Sequence, residues 1–309
     1  MRPAFLRTRP LRVFLAASII LGLLQLAAVA QEASPQPVID QAPGKVRFGA
    51  LVVIRGHLEN GTAGEEIELQ RRRPGGNWWT IATKQVDRDA RVEFRRQDLK
   101  RTTSYRLRYT DVGTRAETVS DIHRVRVAPK LTLRANPDDI FRGRYVTLRG
   151  RLLPKVSPRR TIVLRQRVGG EWRWIKRVGV DQDGRFVAKF QANDIGFRKI
   201  QATFAGDSLS TFKKKVKPLT VYGKDRATWY GPGFYGRSTA CGQKMSKTIL
   251  GVAHRTLPCG TKVSILYNGN TITVPVIDRG PYSHANWDLT EGAARRLGFS
   301  GTDTIGATR

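Results

Sequence analysis

Apolar and charged residues alternate through much of the chain, most regularly in Tyr105-Arg106-Leu107-Arg108-Tyr109 and Arg124-Val125-Arg126-Val127. Successive side chains of a strand point to opposite faces, so this period of two predicts antiparallel strands with one face on a core and one in water. Gly, Pro and Asp break the runs at short intervals, as short strands require. No long segment of this region carries a helical apolar period. The one good helix lies near the end, Glu291 to Leu297, with Thr290 as N-cap and Gly298 just past its last turn. Asn268-Gly269-Asn270 separates Val263–Tyr267 from Thr271–Ile277 and predicts a tight hairpin, because Asn-Gly accepts positive φ. Pro275 cannot donate to a ladder, which places it at an edge or a strand crossing.

The pattern is written twice. Val52-Val53-Ile54-Arg55-Gly56 recurs as Val146-Thr147-Leu148-Arg149-Gly150. Gly75-Gly76-Asn77-Trp78 recurs as Gly169-Gly170-Glu171-Trp172, and Val86-Asp87-Arg88-Asp89 as Val180-Asp181-Gln182-Asp183. The displacement is constant and far longer than a solenoid unit, so it indicates a duplicated domain. Several short alternating strands per copy predict two immunoglobulin-like β-sandwich repeats, at 44–128 and 129–222. Tyr222-Gly223 marks the passage, with little linker, into a last domain at 223–309.

The amino end has a different composition. Arg2, Arg7, Arg9 and Arg12 precede an apolar run that ends in Ala28-Val29-Ala30. A charged start, an apolar centre and a small-x-small end predict a secretory signal peptide over residues 1–30. No other segment is apolar enough to span a membrane, so no span is expected after cleavage. Residues 31–43, with Pro35, Pro37 and Pro43, read as an extended, flexible leader. The expected location is secreted, outside the cell or on its wall.

The formal net charge is +30 over 309 residues. Such a balance calls for an anionic partner or surface. Most of the excess lies in residues 31–222, and Arg71-Arg72-Arg73 and Lys213-Lys214-Lys215 are its densest points. An exported chain with no recognisable nucleic-acid module is not expected to bind nucleic acid. Anionic wall polymers, wall carboxylates or lipid headgroups fit better.

Two cysteines, Cys241 and Cys259, are present. An even count in an exported chain reads as one disulfide, which would tether Thr239–Gln243 to the segment bearing His254. Two free thiols or a metal pair are the alternatives, and neither has supporting spacing. The β-branched run before Asp278-Arg279-Gly280-Pro281 places Asp278 where a strand leaves the core. On chemistry alone Asp278 reads as a carboxylate paired with Arg279 or capping the Gly-Pro turn, and His254 as a packed histidine. His254, His284 and Asp278 match no zinc-ligand pattern, so neither metal nor cofactor is expected.

Ala227-Thr228-Trp229-Tyr230-Gly231-Pro232-Gly233-Phe234-Tyr235-Gly236, Thr239-Ala240-Cys241-Gly242, Ala253-His254-Arg255-Thr256-Leu257-Pro258, Asp278-Arg279-Gly280-Pro281 and Trp287-Asp288-Leu289-Thr290 occur in this order. Together they resemble the rare lipoprotein A (RlpA-like) double-psi β-barrel family, over the last domain alone. The whole chain is then all-β: two sandwiches followed by a double-psi barrel. The resemblance implies a barrel that acts on the glycan strands of peptidoglycan as a lytic transglycosylase, forming anhydro-muramyl ends. It makes Asp278 the acid–base group, with its pKa raised by apolar surroundings, and His254 its support. It makes Gln243, Trp229, Tyr230 and Arg279 the candidate substrate contacts, although aromatics at a domain start also serve a core. Gln31 at the expected cleavage point is not a cysteine, so the lipid anchor of the family's name is not expected. Catalytic members carry Glu and Asp where this chain has Gln243 and Ser246. An amide cannot replace an acid, and this difference keeps open a non-catalytic, expansin-like module that binds or loosens wall glycan.

Overall fold

A computed structural model describes residues 33–155 and 160–308. The expected signal peptide lies outside the described residues. The regular secondary structure of the described residues is almost entirely strand, with a single α-helix.

The first repeat has two sheets. One contains β1 (Gln36–Gln41), β3 (Ala50–Glu59) and β6 (Arg91–Leu99), in the order β1-β3-β6. The other runs β2 (Lys45–Arg47), β9 (His123–Ala128), β7 (Thr103–Thr110), β4 (Glu66–Arg72), β5 (Trp79–Gln85), with β8 (Glu117–Val119) on β7. Alternate residues of both, among them Ile54, Phe94, Ile67 and Leu107, fill one core.

The second repeat follows the first strand for strand, except that β8 has no counterpart. Its small sheet is β10 (Lys130–Asn136), β12 (Tyr145–Leu153) and β15 (Arg185–Gln191). Its large sheet is β14 (Glu171–Gly179), β13 (Thr161–Val168), β16 (Gly196–Phe204) and β17 (Lys213–Tyr230), with β11 (Asp139–Phe141) parallel to β17 as β2 is to β9. The duplicated Arg-Gly step has a packing cause. A Cβ on Gly56 would lie 2.3 Å from the Val38 carbonyl oxygen, and one on Gly150 would lie 2.2 Å from that of Thr132.

The duplication corrects one expectation. Gln36–Gln41 is not a flexible leader; it is β1, paired antiparallel with β3 and equivalent to β10. Proline suggested a linker there, but β1 is an edge strand, where a residue without an N–H can face away from the ladder.

β17 crosses the expected boundary at 222/223 without a break. Its first half pairs with β16, and its second half pairs with β22 (Asp303–Ala307) and β21 (Trp287–Thr290). The last domain also contains β18 (Val252–Ala253), β19 (Lys262–Tyr267), β20 (Asn270–Asp278) and α1 (Glu291–Leu297). Pairing runs β17-β21-β18-β20-β19-β22 and returns to β17, so these strands close into a barrel. The hairpin has Asn268 at φ 47° and Gly269 at φ 82°, as its sequence requires. Pro275 sits opposite Lys262, beside the point where β20 changes partner from β19 to β18. Thr290 accepts from the Ala293 amide and Gly298 closes α1 at φ 70°. The Tyr222 hydroxyl ties barrel to repeat: it donates to Asp139 Oδ1 at 2.9 Å and lies 3.1 Å from Ser264 Oγ.

Candidate functional site

β18 has only two residues, and both of its neighbours bring a carboxylate to it. Ala253 pairs with Asp278 of β20 on one side and with Asp288 of β21 on the other. Both acids are half-buried. Asp288 is the outward residue between buried Trp287 and Leu289, so the strand alternation turns it away from the core. Burial pushes its carboxyl above the ordinary value of 3.8, and the charge of Asp278 pushes the same way. A hydrogen bond from Thr228 Oγ1 to Asp288 Oδ1, at 2.7 Å, opposes them.

Asp278 is surrounded by donors. The amides of Ala240 and Arg279 both donate to Oδ1 at 2.8 Å, and the Tyr230 hydroxyl donates to Oδ2 at 3.2 Å. Burial and the Asp278 charge raise the pKa of Tyr230, which keeps it a donor. The Ala240 amide owes its place to the neighbouring cystine. Cys241 is bonded to Cys259, and the Cys241 amide donates to Ile277 O at 3.2 Å.

His254 follows directly on β18. Its amide donates to Asp278 O at 3.2 Å, and its ring lies 4.5 Å from that of Trp287. The amides of Thr256 and Leu257 donate to Nδ1 at 3.2 and 3.1 Å. Nδ1 is therefore an acceptor, and the neutral ring carries its proton on Nε2.

The structure brings Asp278, His254 and Tyr230 together, and turns the other expected contacts to different work. The Arg279 guanidinium forms no ion pair with Asp278 and is engaged with backbone carbonyls. Its Nη1 donates to the carbonyls of Leu257 at 3.0 Å and His254 at 3.3 Å, and Nη2 reaches Cys259 Sγ at 3.5 Å. It clamps the histidine loop, because loop carbonyls outside a ladder need donors. Trp229 packs on the barrel core. The exposed aromatics of this domain are Phe234, Tyr235 and Tyr282. Gln243 is exposed, with Oε1 accepting from Thr239 Oγ1 at 3.0 Å; Ser246 Oγ accepts from the Ile249 amide at 3.2 Å. Both polar groups close turns here. Asp288 and Thr228 were not singled out by sequence, although both lie in matched motifs. The available signal was the polar position of Asp288 in an apolar strand. Among the described residues no group of three or more His, Cys, Asp or Glu is placed to hold a metal ion.

Residues 224–307 match a family model described as lytic transglycolase. A Synechocystis protein named probable endolytic peptidoglycan transglycosylase RlpA is 49% identical over 76 residues, 24% of each chain. Endolytic peptidoglycan transglycosylase RlpA of Campylobacter jejuni is 37% identical over 114 residues, 31% of this chain and 42% of that one. Its Pseudomonas aeruginosa namesake is 37% identical over 107 residues, 29% of this chain and 31% of that one. The chain thus spans less than half the length of these relatives.

Proposed function

We propose that this chain, whose residues 224–307 are an RlpA-like double-psi β-barrel domain, is a lytic transglycosylase acting on the glycan strands of peptidoglycan. The observation that carries this reading is the pair Asp288 and Asp278 flanking Ala253, one carboxyl raised by burial and the other ringed by donors. A carboxyl raised by burial beside a second carboxyl held by donors can divide the work of acid and base.

Asp288 gives its proton to the bridging glycosidic oxygen, and the bond from that oxygen to the sugar C1 breaks. The positive charge that develops at C1 faces the Asp278 carboxylate. The C6 hydroxyl of the same muramyl residue closes on C1, and its proton passes to Asp278 and thence back to Asp288. No water enters and the product is an anhydro-muramyl end. His254, donating from Nε2, positions a sugar oxygen. Mass spectrometry of digested wall glycan tests this reading: anhydro ends must appear and must depend on Asp288.

A second reading is favoured by Gln243 and Ser246, which stand where catalytic members of the resembled family carry carboxylates. It is a barrel that binds and loosens glycan without cleaving it. Under either reading the protein works outside the cytoplasm, where peptidoglycan lies. We read the duplicated units as immunoglobulin-like, supported by the short second strand that pairs parallel with the last strand in each. Their basic surface directs the chain to anionic wall polymers.

A further inference from the structure

The two repeats present the same sheet face and treat its cations differently. In the first repeat the cations that β4 and β7 place on this face are engaged from within. Arg108 contacts Glu68 and Glu117, each at 2.8 Å. Arg72 and Arg106 lie 4.7 and 4.5 Å from the Trp78 ring, which is half-buried between them.

In the second repeat the face is open. Arg165 stands in register between Trp174 of β14 and Gln201 of β16, and Arg167 between Trp172 and Lys199. Residues directly opposed in a ladder share a face. Ile162, Leu164, Ile200 and Ala202 take the core side, so these rows face outward. Trp174 is 66% exposed and Trp172 36%, and Arg165, Arg167 and Lys199 are exposed. Strands β13, β14 and β16 hold a single acid, Glu171. Among the described residues Arg165, Arg167 and Lys199 form no ion pair; Arg167 Nε donates to Gly170 O at 3.1 Å. Uncompensated cations interleaved with exposed indoles suit a ligand that is both charged and ringed.

We propose that the outer face of β14, β13 and β16 binds an anionic polysaccharide. The apolar faces of its sugars stack on Trp172 and Trp174, and its acidic groups meet Arg165, Arg167 and Lys199. The first repeat, where Arg72, Arg106 and Arg108 of the matching strands are already engaged, acts as a spacer. This rests on the reading of the basic repeats as directed to wall polymers, and narrows it to one face of one repeat.

The test is calorimetric titration of the full chain with polygalacturonate, at about 0.15 M salt where exposed charges are screened beyond ~8 Å. Polyphosphate, single-stranded DNA and anionic phospholipid vesicles are the rival probes. Polygalacturonate is expected to bind most tightly. Trp174→Ala, and separately Arg165→Gln with Arg167→Gln, should each weaken it about tenfold or more. Arg88→Gln with Arg115→Gln removes the same charge from exposed sites of the first repeat and should leave it unchanged. Equal loss in that control, tight polygalacturonate binding that survives both second-repeat variants, or a rival probe that binds as tightly would overturn the proposal. Cleavage of soluble glycan by the barrel is read separately. Its absence in the wild type counts against the transglycosylase reading and leaves the binding result intact.

Discussion

Asp278 and Asp288 belong to strands that do not pair with each other, yet they flank one residue, Ala253, and the charge of the first helps keep the proton on the second. The coupling has a sign that can be measured. Asp278→Asn removes a negative neighbour, so Asp288 must lose its proton at a lower pH than in the wild type. Carboxyl carbon titration by NMR should show that midpoint move down. A midpoint that stays put or rises would separate the two acids.

The same shift links to stability. The folded pKa of Asp288 lies above its ordinary value of 3.8. Below that value the side chain is protonated in both the folded and the unfolded chain, and its contribution is fully present. It is lost as pH rises through the folded pKa, because the charge must then be held in a buried place. Asp288→Asn cannot ionise. Thermal melts should find it equal to the wild type in acid and more stable at neutral pH, while its glycan cleavage is lost. A variant less stable at neutral pH would make Asp288 a structural carboxylate.

The cystine holds the Ala240 amide against Asp278. Cleaving a bridge over so short a loop removes ~3 kcal/mol in the chain-entropy view. Denaturant melts with and without reductant should differ by about that much. Hydrogen exchange at Ala240 should speed up on reduction, with activity falling in parallel.

The Arg279 guanidinium holds the histidine loop, and this contact predicts a structural rather than a substrate-binding phenotype. Arg279→Gln leaves the carbonyls of His254 and Leu257 without their donor. Each charge-assisted bond of this kind contributes ~1.5–3 kcal/mol. The variant should melt earlier and exchange amides faster over residues 254–259, and its kcat should fall with its affinity. A loss confined to KM, with unchanged exchange, would return Arg279 to substrate binding.

Local chemistry was legible in the sequence wherever it decided the outcome. Asn268-Gly269 made its hairpin, Thr290 and Gly298 bounded their helix, and the alternation around Leu107 and Val125 put those residues in a core. The duplication was visible because Gly56 and Gly150 face the same backbone crowding. The features that needed the assembled sheets were not legible. Pro35 and Pro37 hid an edge strand, since nothing local tells an edge from a linker. Arg279 adjoins Asp278 in sequence, but its guanidinium reaches carbonyls more than 20 residues away. The raised carboxyl was expected at Asp278, after an apolar run. A raised carboxyl that sequence did not single out is Asp288, because burial depends on which strands close over a residue and not on the residues before it.

The central claim is that the barrel cuts glycan with Asp288 as the acid. The direct measurement is mass spectrometry of intact and peptide-stripped peptidoglycan after incubation with wild type, Asp288→Asn and Asp278→Asn. A positioned acid or base contributes ~10²–10⁴-fold in rate. The account predicts anhydro-muramyl ends with the wild type and a loss of that order in each variant. Wild-type protein that binds both glycans and releases no anhydro ends would contradict it and leave the glycan-loosening reading standing.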